Sequence, residues 1–322
     1  MIITKTPFRI SFAGGGTDLK EFYEVYGGAV VSAAIDKYFY VIVNDMFDEG
    51  VRVSYSRNEQ VSTVDEVRND IVRECLRETG IDGHVEIHMV ADIPGGIGLG
   101  SQSALTVGLL NALYVYQGEQ LSSEQLASKA CEIEIERLGR PIGKQDQYAA
   151  AYGGLNLFEF EVDGSVRRER IRLTDTDFKR GDRRLLMFYT GTARDSARVM
   201  TQQFDETKNR SETLLAMKQQ AYSLREELVS SGFGHSVGSA LSVGWGLKRT
   251  IADSMSSPQI DEWYETAIRA GATGGKLLGA GGRDFLLFYC DEKHQDAVRE
   301  ALGLRELDFR FSPYGSRVVY FA

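Results

Sequence analysis

Hydrophobic positions along the first 180 residues fall into short runs whose period keeps changing. Residues 2–13 (IITKTPFRISFA) read as a strand entering a turn-forming GGGTD, and residues 19–26 as a short amphipathic helix. Residues 27–44 have the β-branched and aromatic content of two strands, and 51–55 alternates as a third. Val64, Val67, Ile71, Val72 and Leu76 recur at helical spacing over 64–79, and a strand follows at 85–91. The apolar run 104–116 predicts a buried helix. A second helix over 123–138 opens on Ser122 and Ser123, with Glu124 and Gln125 as capping candidates. Segments 155–161 and 167–173 pair as a hairpin across Asp163-Gly164. Beyond the charged stretch 175–184 the pattern predicts a strand at 185–190, long helices over 196–232, a helix at 261–271, and strands at 285–290 and 317–321. Sheet and helix without regular βαβ alternation predict an α+β fold, with a boundary near residue 180 separating domains 1–180 and 181–322.

Composition narrows this picture. A chain of 322 residues with 43% hydrophobic and 26% charged residues is that of a globular protein with one or two domains. The net charge of −9 argues against a nucleic-acid partner but leaves room for a local basic pocket. Cys75, Cys131 and Cys290 are odd in number and far apart, which predicts a reducing, cytoplasmic setting and neither a disulfide scaffold nor a zinc site. His84 and His88, on one face of strand-like text, read as structural rather than as a metal pair. The N-terminus carries no signal-peptide pattern. Residues 93–118 lack charge, but the apolar part is shorter than the roughly 20 residues a membrane helix needs, so no membrane association is expected.

Glycine is in surplus: there are 34, where average usage of about 7% gives about 23. Three clusters absorb the excess, at 14–16, 95–100 and 271–282. The central one, Pro94-Gly-Gly-Ile-Gly-Leu-Gly-Ser101-Gln102-Ser103, stands between a strand and a buried helix. Side-chain-free backbone there lets amides approach an anion, and the helix's first turn adds unpaired N–H groups, so the unit suits a phosphate. It is neither a Walker loop, lacking Lys-Ser/Thr, nor a dinucleotide fingerprint, lacking the third glycine. A second constellation runs from Glu134 through Lys144 to Asp146, two carboxylates either side of a Gly/Pro loop. Lys144 beside Asp146 would keep that carboxylate ionised and able to accept a hydroxyl proton. The third cluster, ending in Gly279-Ala-Gly281-Gly282-Arg283-Asp284, reads as a closely packed turn.

In their order, Thr6-Pro-Phe-Arg9 through Gly14-Gly-Gly16-Thr17-Asp18, Pro94–Gln102 and Gly279–Phe288 resemble the three motifs of the GHMP small-molecule kinases. PFRISFAGGGTDL, GKQDQYAAAYGGLNLFEF and GGKLLGAGG are most similar to kinases of D-glycero-D-manno-heptose 7-phosphate, with fucokinase domains next. The resemblance implies a two-domain GHMP kinase fold: an N-terminal domain like the second domain of a small-subunit ribosomal protein, and a ferredoxin-like C-terminal domain. It implies ATP as co-substrate, Mg2+ as cofactor, a sugar phosphate as the other ligand, and a homodimer as one possible assembly. Asp146 takes the place of the catalytic aspartate and Arg9 sits beside it. Asp18, with Thr17, Gly16, Lys144 and Gln147, would bind the sugar. Pro94, Gly95, Gly96, Gly98, Leu99, Gly100, Ser101, Gln102 and Ser103 would hold ATP. Gly279, Gly281 and Gly282 form the third motif. Glu134 would ligate magnesium, with Glu136 as the runner-up, Gln102 where the family has a second serine, and Ser101 or Ser103 as substitutes for it.

Two departures accompany the match: Gln102, and Arg283-Asp284 in place of further glycines. They motivate a non-enzyme alternative, a sugar- and ATP-binding regulator; an unphosphorylated, fucose-like sugar is the enzymatic one. Arg140, Lys144, Arg194, Arg198 and Lys276 are the candidate cations for an anionic substrate tail.

Overall fold

The computed structural model describes residues 1–96, 98–191, 210–252, 255–279 and 285–322. A first sheet is built on β1 (Ile2–Ala13) and β2 (Gly28–Asp45), antiparallel over almost their whole length and separated by α1 (Lys20–Tyr26). Residues 27–44 thus form one long strand rather than two. The register skips Asp36 and Lys37 between the pairs Pro7–Tyr38 and Phe8–Ile35, so β2 changes course there without leaving β1. The Asp36 amide instead donates to Arg310 O, and the Arg310 amide donates to Asp36 Oδ1.

On its other side β2 pairs first with β6 (Leu155–Phe160) and then with β5 (Val85–Ala91). Strand β7 (Val166–Arg170) completes the predicted hairpin with β6. Beyond β5 lie β3 (Val51–Ser54), parallel to it, and β4 (Asn58–Val61), a short polar strand that the hydrophobic pattern does not show. The sheet's other edge is β12 (Arg317–Phe321), so the last residues return to pair with β1. The expected helix over 64–79 divides into a single 3-10 turn and α2 (Asp70–Thr79), capped by Asn69.

Helix α3 (Ser101–Tyr116) is apolar around most of its circumference and packs against β1 and β2. A Cβ on Gly108 would stand 2.6 Å from Thr6 Oγ1, and Thr4 Oγ1 donates to Gly108 O at 2.8 Å. Helices α2, α4 (Ser123–Cys131) and α5 (Gln145–Tyr152) pack around α3. The Ser122–Gln125 capping box opens α4 as expected. Past Cys131 the backbone widens into a π-helical turn over Glu132–Arg137. Cys75, Cys131 and Cys290 are free and buried.

The charged stretch 175–184 is a helix, α6 (Asp175–Arg184), opened by a Thr174–Asp177 capping box. It leads into a second antiparallel sheet ordered β11-β8-β10-β9, from β8 (Leu185–Tyr189), β9 (Ala272–Leu277), β10 (Phe285–Cys290) and β11 (Arg305–Glu306). Around it stand α8 (Ser236–Arg249), α9 (Pro258–Arg269) and α10 (Gln295–Leu302), while α7 (Ser211–Ser231) packs between α8 and strand β2 of the first sheet. The part of the expected 196–232 helices that precedes residue 210 lies outside the described residues. Helix α8 is rich in serine and glycine, which hides it from pattern reading. It forms because its glycine face fits β9: a Cβ on Gly274 would lie 1.8 Å from Gly238 O. No helix among the described residues is long and apolar enough to cross a membrane.

Because α3 meets β1 through a missing side chain, Gly108→Val should destabilise the protein by about 1–3 kcal/mol through overpacking. Urea unfolding measures this; an unchanged midpoint would show that the helix can move away freely.

Candidate active site

Asp146 lies in the first turn of α5, and the cation that meets it is Arg9 from the middle of β1. Arg9 Nε donates to Asp146 Oδ1 at 2.7 Å and Nη2 to Oδ2 at 2.8 Å, a two-pronged pair of the strong kind. The third prong, Nη1, donates to Gly98 O at 2.8 Å, and the Arg9 amide to Leu99 O at 3.1 Å. The arginine side chain is 7% exposed and the aspartate 24%, so the carboxylate faces outward while its partner is enclosed. Lys144, expected in this role, points elsewhere. Its Nζ donates to Gly164 O at 2.6 Å and lies 4.7 Å from the Tyr23 ring centroid.

The glycine loop meets this pair directly. Gly100, at φ 72°, has no Cβ where one would come within 3.2 Å of Arg9 Cγ and 3.3 Å of Asp146 Oδ2. Gly96 and Gly98 are also left-handed, and the Gly96 amide donates to Ser101 Oγ at 3.0 Å. Pro94, Gly95 and Gly96 are exposed, while Leu99 is buried and anchors the loop. Helix α3 starts at Ser101, and its first regular hydrogen bond is donated by Ala104 to Gly100 O. Its opening amides are therefore available to an anion beside Asp146.

Glu134, carried by the π-helical turn, is completely buried behind the same loop. Ser103 Oγ and Gln147 Nε2 each donate to its Oε2 at 2.8 Å, and Thr106 Oγ1 donates to its Oε1. Burial pushes its carboxyl pKa up, against the opposing pull of the Thr106 and Ser103 hydroxyls. Thr106 escaped the sequence reading; its spacing of three from Ser103 places both on one face of α3.

The three residues considered beside Glu134 separate clearly. Ser101 staples the loop, and exposed Gln102 sits near Arg140 Nη1 at 3.4 Å. Only Ser103 touches the carboxylate. Glu134 and Ser103, with the buried and unpartnered Gln147 Oε1 close by, form an oxygen-only donor set that fits a hard divalent cation. Gln102 does not belong to it.

The GGGTD turn is used largely by the protein itself. Asp18 is buried, accepting from the amides of Gly16 at 2.9 Å and Gln145 at 3.1 Å. Burial raises its pKa, with those amides opposing. Gly143 packs over it, leaving no space for a Cβ. Thr17 Oγ1 donates to Gly14 O and Ala29 O and accepts from the Ala29 amide, joining the turn to β2. Among the candidate cations, Arg140 is held by Asp70 at 2.9 and 3.1 Å, and Lys276 is buried. Of the third motif, Gly279 is left-handed and its carbonyl accepts from Lys248 Nζ. Gly281, Gly282, Arg283, Asp284, Arg194 and Arg198 lie outside the described residues.

Because Glu134 binds its proton more tightly when folded than when unfolded, the native state loses relative stability as pH rises above its ordinary 4.5. Glu134→Gln removes that term. The stability of the variant relative to the parent should therefore increase as pH is raised above 4.5 and level off once the folded-state carboxyl has ionised. Urea unfolding across pH tests this, and a pH-independent difference would refute it.

The chain is similar to known proteins over nearly its whole length. The profile of the GHMP kinases N terminal domain matches residues 66–154, and that of the GHMP kinases C terminal matches residues 224–306. A D-glycero-alpha-D-manno-heptose 7-phosphate kinase of Campylobacter jejuni is 29% identical over 98% of this chain and 97% of its own. A crystal structure of a protein from Campylobacter jejuni aligns with TM-score 0.77 at 28% identity, covering 98% of this chain and 97% of that one. A D-glycero-D-manno-heptose 1-phosphate kinase structure from Bacteroides thetaiotaomicron aligns with TM-score 0.83 at 23% identity, covering both chains completely. With both family domains matched in order and the whole fold shared, the chain belongs to the GHMP kinases and is a sugar kinase that transfers phosphate to a hydroxyl group.

Proposed function

We propose that the protein transfers the γ-phosphoryl group of ATP to the anomeric hydroxyl of D-glycero-D-manno-heptose 7-phosphate, giving the 1,7-bisphosphate and ADP. The observation that carries the chemistry is the Arg9–Asp146 pair lying against Gly100 of the glycine loop. The full-length likeness to the Campylobacter jejuni heptose 7-phosphate kinase supports the substrate.

In this reading the sugar oxygen attacks the γ-phosphorus, its proton passes to Asp146, and the bond to the β-phosphate bridging oxygen breaks. Arg9 orients the Asp146 carboxylate and adds positive charge beside the transferring group. The glycine loop's amides, apart from the Gly96 amide held by Ser101, and the start of α3 receive the phosphates. Glu134 and Ser103 would hold Mg2+, which when bound offsets the charge between the β- and γ-phosphates. Asp18, buried by its own turn, orders the loop bearing Gln145 and Asp146, so that sugar contacts fall on groups at its surface.

A second reading, a fucose-like sugar without a phosphate, is favoured by one observation. The described candidates for an anionic tail, Arg140, Lys144 and Lys276, are all engaged within the protein. Incubation with Mg-ATP and heptose 7-phosphate, fucose, mannose or galactose, with ADP release and product identified, separates the readings. Preferential use of the heptose phosphate is expected. Preference for a free sugar would replace this substrate, and binding of ATP and sugar without turnover would mark a regulator.

Asp146→Asn should lower kcat by about 10²–10⁴-fold while leaving ATP affinity nearly unchanged, and retained turnover would remove it from its role. Gly100→Ala places a methyl against both members of the pair in a left-handed backbone. It should cost roughly tenfold or more in kcat, read from steady-state kinetics. Parent-like kcat would show that the loop does not constrain the pair.

A further inference from the structure

Lys276 belongs to β9 in the second sheet, yet its ammonium group ends in the first. Nζ donates to Ser11 O at 2.8 Å and to Phe12 O at 3.1 Å. Successive carbonyls of a regular strand point to opposite sides, so one ammonium reaches both only where the strand is irregular. The β1–β2 register supplies that irregularity. Ser11 pairs with Ser32 and Ala13 with Val31, leaving Phe12 as the extra residue of a bulge.

The lysine is 6% exposed, and no carboxylate pairs with it among the described residues. The charged groups acting on it are themselves cations, Lys248 from α8 and Arg9 from β1, and burial holds its pKa well below the ordinary lysine value. Such a group is costly to bury, and its hydrogen bonds are spent on two backbone oxygens. The strand that carries it is tightly seated. Gly274 presses on Gly238 of α8, and Gly275 lies against Phe288 of β10. The ammonium is thus a fixed point from the second sheet applied to β1 two residues beyond Arg9.

We infer that Lys276 is a positioning residue: by capping both carbonyls of the β1 bulge it sets the course of the strand between Arg9 and the GGGTD turn, and so makes the Arg9–Asp146 geometry depend on how the second sheet is seated. This rests on the reading of Arg9 and Asp146 as the reaction centre. The lysine acts through the strand and not on substrate.

The test uses the full chain with Mg-ATP and the sugar it turns over. Lys276→Met keeps most of the stem and removes the donor group. It should lower kcat about 10- to 100-fold, the scale of a small misplacement, while KM for ATP stays within about threefold. Lys276→Ala should regain part of the lost kcat on addition of ethylammonium, but not of tetramethylammonium at equal ionic strength, since only the former can donate to the carbonyls. A kcat within twofold of the parent, or a loss that follows only the folded fraction measured by thermal unfolding and ignores added amine, overturns the inference. Should Lys276→Met fail to fold, Lys276→Gln, with an amide that can still donate, should keep a higher kcat than Lys276→Ala, and equal loss in the two overturns the inference. Asp146→Asn is assayed in parallel. If it retains turnover, the reaction-centre reading and this inference fall together; if it is inactive while Lys276→Met is parent-like, only the inference falls.

Discussion

The site depends on a guanidinium that has no freedom left. Arg9 spends its donors on both oxygens of Asp146 and on a carbonyl of the glycine loop, from a backbone position whose amide is bonded to that same loop. Strand β1, helix α5 and the loop before α3 therefore meet at one planar group, and moving any of them breaks a charge-assisted bond. The left-handed Gly100 is part of the same constraint, because any side chain there would occupy the space of the pair. An aspartate held in this way is oriented before a substrate arrives, which is what phosphoryl transfer asks of a protein.

Around that point the structure buries further charge: Glu134 behind the loop, Asp18 under Gly143, and Lys276 between the sheets. Each is satisfied in a different way. Glu134 takes two hydroxyls and an amide, Asp18 two backbone amides, and Lys276 two backbone carbonyls. None forms a salt bridge with another of the three. Burial shifts all of them toward their neutral forms, so the region is polarised by hydrogen bonds rather than by neutralising pairs. A negatively charged phosphoryl donor would meet the opening amides of α3, which no helical carbonyl satisfies.

Much of this was readable in the chain. The strand before GGGTD, the apolar helix after the glycine loop, the capping box at Ser122 and the Asp163-Gly164 hairpin all came from local periodicity and turn chemistry. Elements made of weak formers were not readable. Polar β4 and serine- and glycine-rich α8 exist because neighbouring strands accept them, and α8 needs the missing side chains of Gly238 and Gly274 to seat on β9. Residues 27–44 looked like two strands because a bulge and two separate partners interrupt their pattern, although the strand itself runs on.

The sequence by itself determined which residue types stand where chemistry could be carried and where backbone must be bare, since glycine, carboxylate and arginine announce themselves by type and spacing. It could not assign their partners. Lys144 stands two positions from Asp146 but turns to Gly164, while Arg9, 137 residues away, takes the carboxylate. Gln102 falls in the motif but faces Arg140, while Ser103, one residue on, faces Glu134. Lys276 resembled a ligand for an anion and instead joins two sheets. These outcomes follow from directions that only packing sets. On a helix one position is a turn of about 100°, and in a strand one extra residue reverses which face a carbonyl or side chain addresses.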